Sequence, residues 1–309
     1  MAQIAPVWLN KAATLDKILK TMREAGEANT DLIAFGEGLL PGYPYWISLT
    51  NGAEFDSKVQ KELHAHYARQ AVQIEAGDLD EVRKLCKHYT MACYLGIIER
   101  PKDRGGHSLY ASLVYIDQTG QIQSVHRKMQ PTYEERLTWS PGDGHGLQVH
   151  NLKQFTVGGL NCWENWMPLS RVALYGLGEN LHIAVWPGSD FNTKDITRFI
   201  AREGRTFSIG VSSLMRTSDF PQDTPHLELI LAQAPPILSN GGSCIAGPDG
   251  EWIIEPVIEQ EGLIYQTLDF NRVFEERQNF DPVGHYSRPD VTRLEVNRER
   301  LGVIHLKSE

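Results

Sequence analysis

Short apolar runs alternate with amphipathic stretches along nearly the whole chain, and this alternation restricts the fold more than any other feature of the sequence. Buried strands that alternate with helices are typical of α/β folds, in which helices cover the faces of a sheet. Similar orders of runs recur in the two halves, with no linker between them. The pattern predicts one α/β domain over residues 1–309, in which two sheets pack face to face beneath outer helices. The strand-like runs are AQIAPVW, DLIAF and MACYLGIIE in the first half, and FTVGGLNC, LHIAVWP and FSIGVSSLM in the second.

Helices are predicted between these runs, where apolar residues recur every three or four positions. The first helix is expected to be capped at Thr14 and to end near Asn29. A long helical region is expected from about residue 56 to residue 89. Two shorter helices are expected over 169–177 and 193–205.

Two hairpins and two long loops complete the predicted order of elements. Gln118-Thr-Gly120 joins HSLYASLVYID to QIQSVHRK, and Pro248-Asp-Gly250 joins SCIAG to EWIIEPV. Both tripeptides are typical of tight turns between antiparallel strands. The loops 39–56 and 219–240 are rich in proline and aromatic residues, so we expect them to cover a site or an interface.

The composition argues against several classes of partner. The chain has 30 Lys and Arg against 39 Asp and Glu, a formal net charge of -9, and its basic residues form no stripe. This balance argues against a nucleic acid or an anionic membrane and favours a small-molecule partner. No apolar span is long enough for a membrane helix, and the first ten residues, MAQIAPVWLN, lack the features of a signal peptide. A cytoplasmic location is therefore expected.

The four cysteines are Cys86, Cys93, Cys162 and Cys244. They form no C-x-x-C pair, and no His-x-His group stands beside them, so no zinc site is expected. Cys162 differs from the others because it ends an apolar run and is followed by WENW and by Pro168, which is predicted to start a helix. The carboxyl end of a buried strand is where α/β enzymes place a nucleophile. The alternative is a small buried core residue, which is the common role of a free cysteine.

Two other strand ends carry residues that a nucleophilic thiol needs. Glu37 follows the apolar run of residues 32–35, and Lys128 follows the strand-like segment QIQSVHR. Either residue alone is compatible with a solvated surface charge. A carboxylate, an ammonium and a thiol at three strand ends together predict a catalytic cluster.

Four motifs accompany these residues and identify a family. PGYPYW follows Glu37, PTYEERLTWSPGDG follows Lys128, CWENWMPL contains Cys162, and HYSRPD lies near the carboxyl end. With these motifs the chain resembles the nitrilase superfamily of carbon-nitrogen hydrolases, and specifically its nitrilase branch. The resemblance extends over nearly the whole chain and implies the four-layer α-β-β-α sandwich of that superfamily. It places the Glu-Lys-Cys triad of the family at Glu37, Lys128 and Cys162.

The resemblance also implies a mechanism. Cys162 attacks a nitrile carbon, Glu37 acts as general base, and Lys128 stabilises the developing negative charge, giving a thioimidate and then a thioester. Glu135 matches a further glutamate of the family that positions the substrate and the lysine; a simple salt bridge to Arg136 is the alternative. The family needs no metal and no organic cofactor, and its members often form homodimers or larger homo-oligomers.

Aromatic residues near the motifs are candidates for the wall of a substrate pocket, with plain core packing as the alternative. Glu164 and Asn165 are expected to brace the cysteine turn rather than to contact substrate. The pocket candidates are Tyr43, Trp46, Trp163 and Trp186.

One departure from the family and several alternative functions stay open. Gly36 replaces the usual proline before the glutamate, which is expected to loosen the backbone at Glu37; a proline there is expected to preserve activity. An amidase or carbamoylase, or a cyanide hydratase or dihydratase, shares the triad. A silent scaffold protein is the alternative from another class, and a papain-like enzyme is disfavoured because no histidine stands in a motif that marks it as the base of the thiol. The identity of the nitrile is not predicted.

Overall fold

The structure is a computed structural model that describes residues 1–304. Its strands are β1 (Ala2–Gln3), β2 (Leu32–Ala34), β3 (Ala92–Glu99), β4 (Tyr110–Ile116), β5 (Ile122–Arg127), β6 (His150–Leu152), β7 (Phe155–Asn161), β8 (Leu181–Trp186), β9 (Phe207–Ser212), β10 (Leu214–Arg216), β11 (Ile237–Ala246), β12 (Trp252–Ile258) and β13 (Gly262–Leu263). Its α-helices are α1 (Lys11–Glu27), α2 (Trp46–Leu49), α3 (Lys58–Gln70), α4 (Asp80–Tyr89), α5 (Pro168–Gly176), α6 (Asp190–Gly204), α7 (Leu227–Leu231) and α8 (Asn271–Arg277).

Most strands belong to two sheets. The first sheet has the order β2-β3-β4-β5, in which β2 and β3 are parallel and β3, β4 and β5 are successively antiparallel. The second has the order β10-β11-β9-β8-β7-β6, with β12 also paired to β11 and with β7, β8 and β9 parallel at its centre. Both predicted hairpins, β4-β5 and β11-β12, are confirmed.

The two sheets pack against each other and are covered by helices. Leu113 and Tyr115 of β4 meet Val157 of β7 and Ile183 of β8 in one buried cluster between the sheets. Because side chains alternate along a strand, Trp186 of β8 faces the other way and packs against α6. Helices α1 and α4 cover the outer face of the first sheet. The predicted α/β sandwich with four layers is therefore confirmed.

The long helical region predicted over 56–89 is wrong, because the chain leaves the helix in its middle. Helix α3 ends before Ala71, whose backbone is extended, and Val72 then pairs with Glu99 at the edge of β3. The Val72 N–H donates to the Ile98 carbonyl at 2.7 Å. A 3₁₀ turn and the left-handed Gly77 separate this segment from α4. The N–H and the carbonyl of Val72 thus hydrogen-bond to the first sheet, whereas in a continuous helix they would bond within the helix.

The start of α1 also differs from the prediction. Asn10 is the N-cap residue, and its side chain accepts a hydrogen bond from the Ala13 N–H at 3.0 Å. Thr14 lies inside the helix and donates its hydroxyl to the Val7 carbonyl. Asparagine and threonine are both common N-cap residues, and Asn10 and Thr14 are four positions apart. The sequence alone therefore does not decide which of the two caps the helix. Across residues 1–304, the helices are too short or too polar to cross a lipid bilayer.

Candidate active site

Four buried side chains from both sheets meet at the carboxyl ends of their strands. Lys128 directly follows β5 and Cys162 directly follows β7, while Glu37 follows β2 and Glu135 lies on a 3₁₀ turn after β5. The Lys128 Nζ is 2.9 Å from Glu37 Oε1 and 2.7 Å from Glu135 Oε2. The Cys162 sulfur lies within 4.8 Å of a carboxylate oxygen of each glutamate. The predicted strand ends are thus brought together around one ammonium group.

Cys162 has a backbone conformation that few side chains adopt. Its φ is 51°, in the left-handed region, where the chain turns from β7 into a 3₁₀ turn. The Asn165 side chain donates to the Cys162 carbonyl at 2.8 Å and to the Leu160 carbonyl at 3.2 Å. His182 lies between the Asn165 Oδ1 and Glu179, at 2.8 and 2.9 Å. This buried network holds the turn, and it gives His182 the partners that the sequence did not reveal.

Burial and mutual proximity shift the pKa values of the cluster. Burial raises the pKa of Glu37 to about 8; the Lys128 ammonium opposes this shift and Glu135 adds to it. Burial also raises the pKa of the Cys162 thiol well above its ordinary value, Glu37 adds to the shift, and Lys128 opposes it. Near neutral pH the thiol is therefore protonated, and its activation requires a base within reach. A carboxylate oxygen of Glu37 lies within 4.8 Å of the sulfur.

Lys128 stays charged although it is fully buried. Burial by itself lowers the pKa of Lys128, but the acidic groups of Cys162, Glu37 and Glu135 around it hold the pKa well above its ordinary value. The Trp139 ring lies 5.5 Å from the ammonium and adds a cation-π contact. A charged ammonium beside the sulfur is suited to stabilise negative charge that develops during attack.

Glu135 is tied to the site and not to its neighbour Arg136. Its Oε2 accepts the Thr132 N–H at 2.6 Å as well as the Lys128 ammonium, and its Oε1 accepts the Tyr43 hydroxyl at 2.8 Å. Arg136 instead donates to a backbone carbonyl. The Glu135 carboxylate is therefore held by three donors and in turn orients Lys128.

The same cluster contains the side-chain types that bind metal ions. Glu37, Glu135 and Cys162 have the donor atoms of a small cation site, within 4.8 Å of one another. The Lys128 ammonium, however, lies within hydrogen-bond distance of both carboxylates and takes the position of a cation between them. The donor set thus fits an ammonium better than a metal ion.

The four aromatic pocket candidates take different positions. Tyr43 contacts the cluster through Glu135. The Trp186 ring is buried in a cluster with Cys162, and the backbone carbonyl of Trp186 accepts the Glu37 N–H at 3.1 Å. The Trp163 ring is 44% exposed, and Trp46 packs in the core. These contacts favour a pocket role for Tyr43 and Trp186, whereas Trp46 has the packing of a core residue. The pocket roles predicted for Trp46 and Trp163 stay predictions.

Two aromatic residues of the site were missed by sequence reasoning. Trp139 contacts both Lys128 and the Tyr43 ring, and Tyr45 lines a void of about 10 Å³ beside Glu37. Both residues lie inside the quoted motifs PGYPYW and TYEERLTW, so their position next to Glu37 and Glu135 was the available signal. Aromatic residues in a motif are as common in the core as in a pocket, which is why the motifs alone do not distinguish these two.

Gly36 packs tightly, so the expectation that it loosens Glu37 is wrong. A Cβ at position 36 would lie 2.3 Å from the Ser213 Oγ and 2.8 Å from the Trp186 carbonyl oxygen. On the other side, a Cβ at Gly96 would lie 2.1 Å from the Gly36 carbonyl oxygen. The absence of a side chain at Gly36 lets the second sheet approach at Glu37, and the absence of one at Gly96 lets the segment after β2 lie against β3 within the first sheet. Proline does not fit at position 36 on this backbone.

Gly36→Ala is expected to destabilise the protein by about 1–3 kcal/mol, because the added methyl group overlaps the opposite sheet. Turnover is expected to fall as well, since Glu37 moves with the backbone. Gly176→Ala is the matched control, because a Cβ there meets nothing within 4 Å. Urea denaturation of both variants checks the prediction, and equal midpoints for the two would contradict it.

Comparisons with known proteins identify the family of this chain. A family description of carbon-nitrogen hydrolases matches residues 1–278. The chain is 34% identical to an aliphatic nitrilase of Rhodococcus rhodochrous, over 96% of this chain and 78% of that protein. It is 31% identical to an arylacetonitrilase of Hypocrea virens, over 98% of this chain and 92% of that protein.

A solved structure shows the same fold at much lower identity. A carbon-nitrogen hydrolase from Helicobacter pylori superposes with a TM-score of 0.70 at 19% identity, and the match covers 94% of both chains. The fold is therefore that of the carbon-nitrogen hydrolases, as the motifs implied. The match to the family over residues 1–278 and the similarity to relatives across nearly the whole chain lead to one conclusion. The chain belongs to the carbon-nitrogen hydrolase family and is a hydrolase that acts on carbon–nitrogen bonds.

Proposed function

We propose that this protein is a nitrilase that hydrolyses an organic nitrile to the carboxylic acid and ammonia, with Cys162 as nucleophile, Glu37 as general base and Lys128 as charge stabiliser. The observation that carries the proposal is the buried Lys128 ammonium between two carboxylates, beside the Cys162 thiol. Similarity to proteins named as nitrilases favours a nitrile over an amide as substrate.

The first step adds the thiol across the carbon–nitrogen triple bond. Glu37 takes the proton of Cys162 while the sulfur attacks the nitrile carbon, and the nitrile nitrogen becomes negative as a carbon–nitrogen π bond breaks. Lys128 stabilises that charge, together with the backbone N–H of Trp163, the residue directly after the nucleophile. Transfer of the proton from Glu37 to the nitrogen completes a neutral thioimidate.

Two water molecules finish the reaction. The first, deprotonated by Glu37, adds to the thioimidate carbon, and Glu37 returns that proton to the nitrogen, which becomes an amine. Glu37 then carries the proton of the new hydroxyl group to the amine, so that ammonia leaves as the carbon–oxygen double bond forms and a thioester remains. The second water releases the carboxylic acid and returns the thiol. The void of about 10 Å³ beside Glu37 has room for roughly one water, and Tyr43, Tyr45 and Met215 are among its walls. This void supports the role of Glu37 in activating water.

The proposal predicts an unusual pH profile. Because Glu37 must be unprotonated to accept the thiol proton, and because burial raises its pKa to about 8, kcat/KM should rise about tenfold per pH unit until about pH 8 and then level off. Initial rates between pH 5.5 and 10 check this, with circular dichroism to establish that the protein stays folded. A plateau already reached at pH 6 would mean that the base is an ordinary carboxylate and not this buried one.

The substrate is tested by ammonia release from a panel. Aliphatic, arylaceto- and aromatic nitriles, cyanide and the matching amides are offered to the protein, and the acid and amide products are separated by chromatography. Conversion of organic nitriles to acids and ammonia supports the proposal. Activity confined to amides would make the protein an amidase or carbamoylase, activity confined to cyanide would make it a cyanide hydratase or dihydratase, and silence across the panel would favour the scaffold alternative.

Three broader expectations belong to the same proposal. We propose a homodimer or larger homo-oligomer, which the exposed apolar side chains on and beside α5 and α6 support, among them Leu169, Val172 and Phe199. We propose that the chain forms one carbon-nitrogen hydrolase domain. We also propose a cytoplasmic location, with which four free, buried cysteines are compatible.

A further inference from the structure

One buried carboxylate touches the backbone on both sides of the site. Glu164 lies two residues after Cys162, and its side chain is fully buried. We propose that Glu164 is a positioning residue that sets the distance between the Cys162 thiol and the Lys128 ammonium by holding the ends of both strands that carry them. The inference rests on the proposed nitrile hydrolysis and adds a residue that does not itself contact the reacting atoms.

The contact on the cysteine side is local. Glu164 belongs to the 3₁₀ turn Cys162–Trp166, and its Oε2 accepts the N–H of Asn161 at 3.0 Å. Asn161 is the last residue of β7 and directly precedes the nucleophile. This hydrogen bond closes the turn whose first residue, Cys162, has a left-handed φ of 51°.

The contacts on the lysine side cross to the other sheet. Glu164 Oε1 accepts the N–H of Met129 at 2.5 Å, and Met129 directly follows Lys128. Glu164 Oε2 also lies 3.0 Å from the Nε2 of His126, two residues before Lys128. Because β5 belongs to the first sheet and β7 to the second, a single carboxylate joins the sheets at the point where the nucleophile and the ammonium face each other.

The contacts of Glu164 affect both the distance between the reacting groups and the electrostatics of the site. A misplacement of reacting groups by about 1 Å lowers rates by as much as about 100-fold, so a fixed distance between sulfur and ammonium matters for kcat. Although burial opposes ionisation, His126 and the two backbone N–H groups hold the pKa of Glu164 below its ordinary value. The resulting negative charge is one of the influences that raise the pKa of Glu37, after burial and Glu135. Removal of this charge should therefore lower the pKa of Glu37, an effect that loss of packing alone does not produce.

Two substitutions separate the two consequences. Glu164→Gln keeps the length of the side chain but removes its charge. One of the two accepting oxygens becomes an NH₂ group, which cannot accept the hydrogen bond of a backbone N–H. Glu164→Asp keeps the charge but is one methylene shorter, so it retains the local contact to Asn161 and loses the reach to Met129. The charged and titratable groups that surround Glu37 in these variants are Lys128, Glu135, Cys162, Tyr43, Tyr45, Tyr67 and position 164.

The measurements are kcat, KM, the pH dependence of kcat/KM, and the rate at which iodoacetamide alkylates Cys162, followed by peptide mass spectrometry. Glu164→Gln is expected to lower kcat by about 10-fold to 100-fold with KM changed less than about threefold. It is also expected to move the acid limb, which is the rise of kcat/KM below about pH 8, to lower pH. Glu164→Asp is expected to lower kcat by about 10-fold with the limb unmoved. The alkylation profile should show the same two patterns, and because it needs no nitrile it tests the inference even where nitrile turnover fails.

Glu179→Gln is the matched control for the acid limb. Glu179 is an equally buried glutamate paired with a histidine, and it is not among the groups that shift the pKa of Glu37. Its substitution should leave the acid limb in place. A Glu164→Asp enzyme with full kcat, or a Glu164→Gln enzyme whose acid limb coincides with that of the wild type, would overturn the inference. If Glu164→Gln does not fold, Glu164→Asp decides it.

Discussion

Cys162→Ala is expected to lower kcat/KM for every nitrile substrate by about 10⁴-fold or more, with the fold intact. Without the sulfur no covalent intermediate forms, and the remaining groups of a hydrolytic triad retain only a small part of the rate enhancement. Alanine removes one atom and no charge, so the stability cost is expected to be about 1 kcal/mol. Single-turnover and steady-state ammonia release, with thermal unfolding followed by circular dichroism, check both expectations.

Cys244→Ala controls for the loss of a buried thiol. Cys244 lies in β11, is as buried as Cys162, and its sulfur hydrogen-bonds Thr197 at 3.5 Å. Its substitution should cost a comparable amount of stability and leave turnover within about threefold of the wild type, as expected for a site outside the cluster. A Cys162→Ala enzyme that keeps more than a hundredth of the wild-type rate would remove Cys162 from the nucleophile role.

Lys128→Met is expected to have the largest combined effect on stability and activity. The substitution leaves Glu37 and Glu135 buried around a position without a cation, and breaking a buried ion pair in this way costs about 3–5 kcal/mol. Turnover should fall by about 10³-fold, because the stabiliser of the nitrile nitrogen is lost. Urea denaturation and ammonia release measure the two effects.

A second substitution separates stability from catalysis. Lys128→Met with Glu135→Gln removes one of the two buried carboxylates, so part of the lost stability should return while turnover does not. Lys84→Met is the control, because Lys84 is a surface residue of α4 paired with Glu81 and its loss should change stability by less than about 1 kcal/mol. Additive effects of Lys128→Met and Glu135→Gln would contradict the buried triad of charges.

The strand ends of the site are predictable from the sequence for a geometric reason. Glu37, Lys128 and Cys162 each follow a predicted strand, and the carboxyl ends of β2, β5 and β7 lie at one edge of the sandwich. Three chemically complementary residues at such positions are rarely a coincidence. The sequence therefore predicted both the sandwich and the residues that meet in it.

Other features depend on contacts between distant segments and carry no local signal. Gly36 resembles a flexible residue in sequence, yet its packing against Ser213 and the Trp186 carbonyl comes from the approach of the second sheet. The break after α3 arises because Val72 finds hydrogen-bond partners on β3, although the helical pattern continues through it. Trp46 reads like a pocket residue because of its motif, and only its packing with Tyr67 reveals the core position.

Glu164 illustrates the same limit within the site. Its position after the nucleophile predicts a brace for the cysteine turn, which its hydrogen bond to the Asn161 N–H confirms. Its contact with the Met129 N–H joins residues 35 positions apart in the chain. Such a contact follows from the pairing of two sheets and is not encoded in any local pattern of residues.

Covalent catalysis by Cys162 is tested most directly by the mass of the Cys162 peptide during turnover. The enzyme is mixed with a nitrile that it converts, quenched with acid within the steady state, digested, and analysed by mass spectrometry. The account predicts a fraction of the Cys162 peptide heavier by the whole nitrile, as a thioimidate, or by the acyl group, as a thioester. Sustained ammonia release with the Cys162 peptide always unmodified, and with the added mass on another residue, would contradict it.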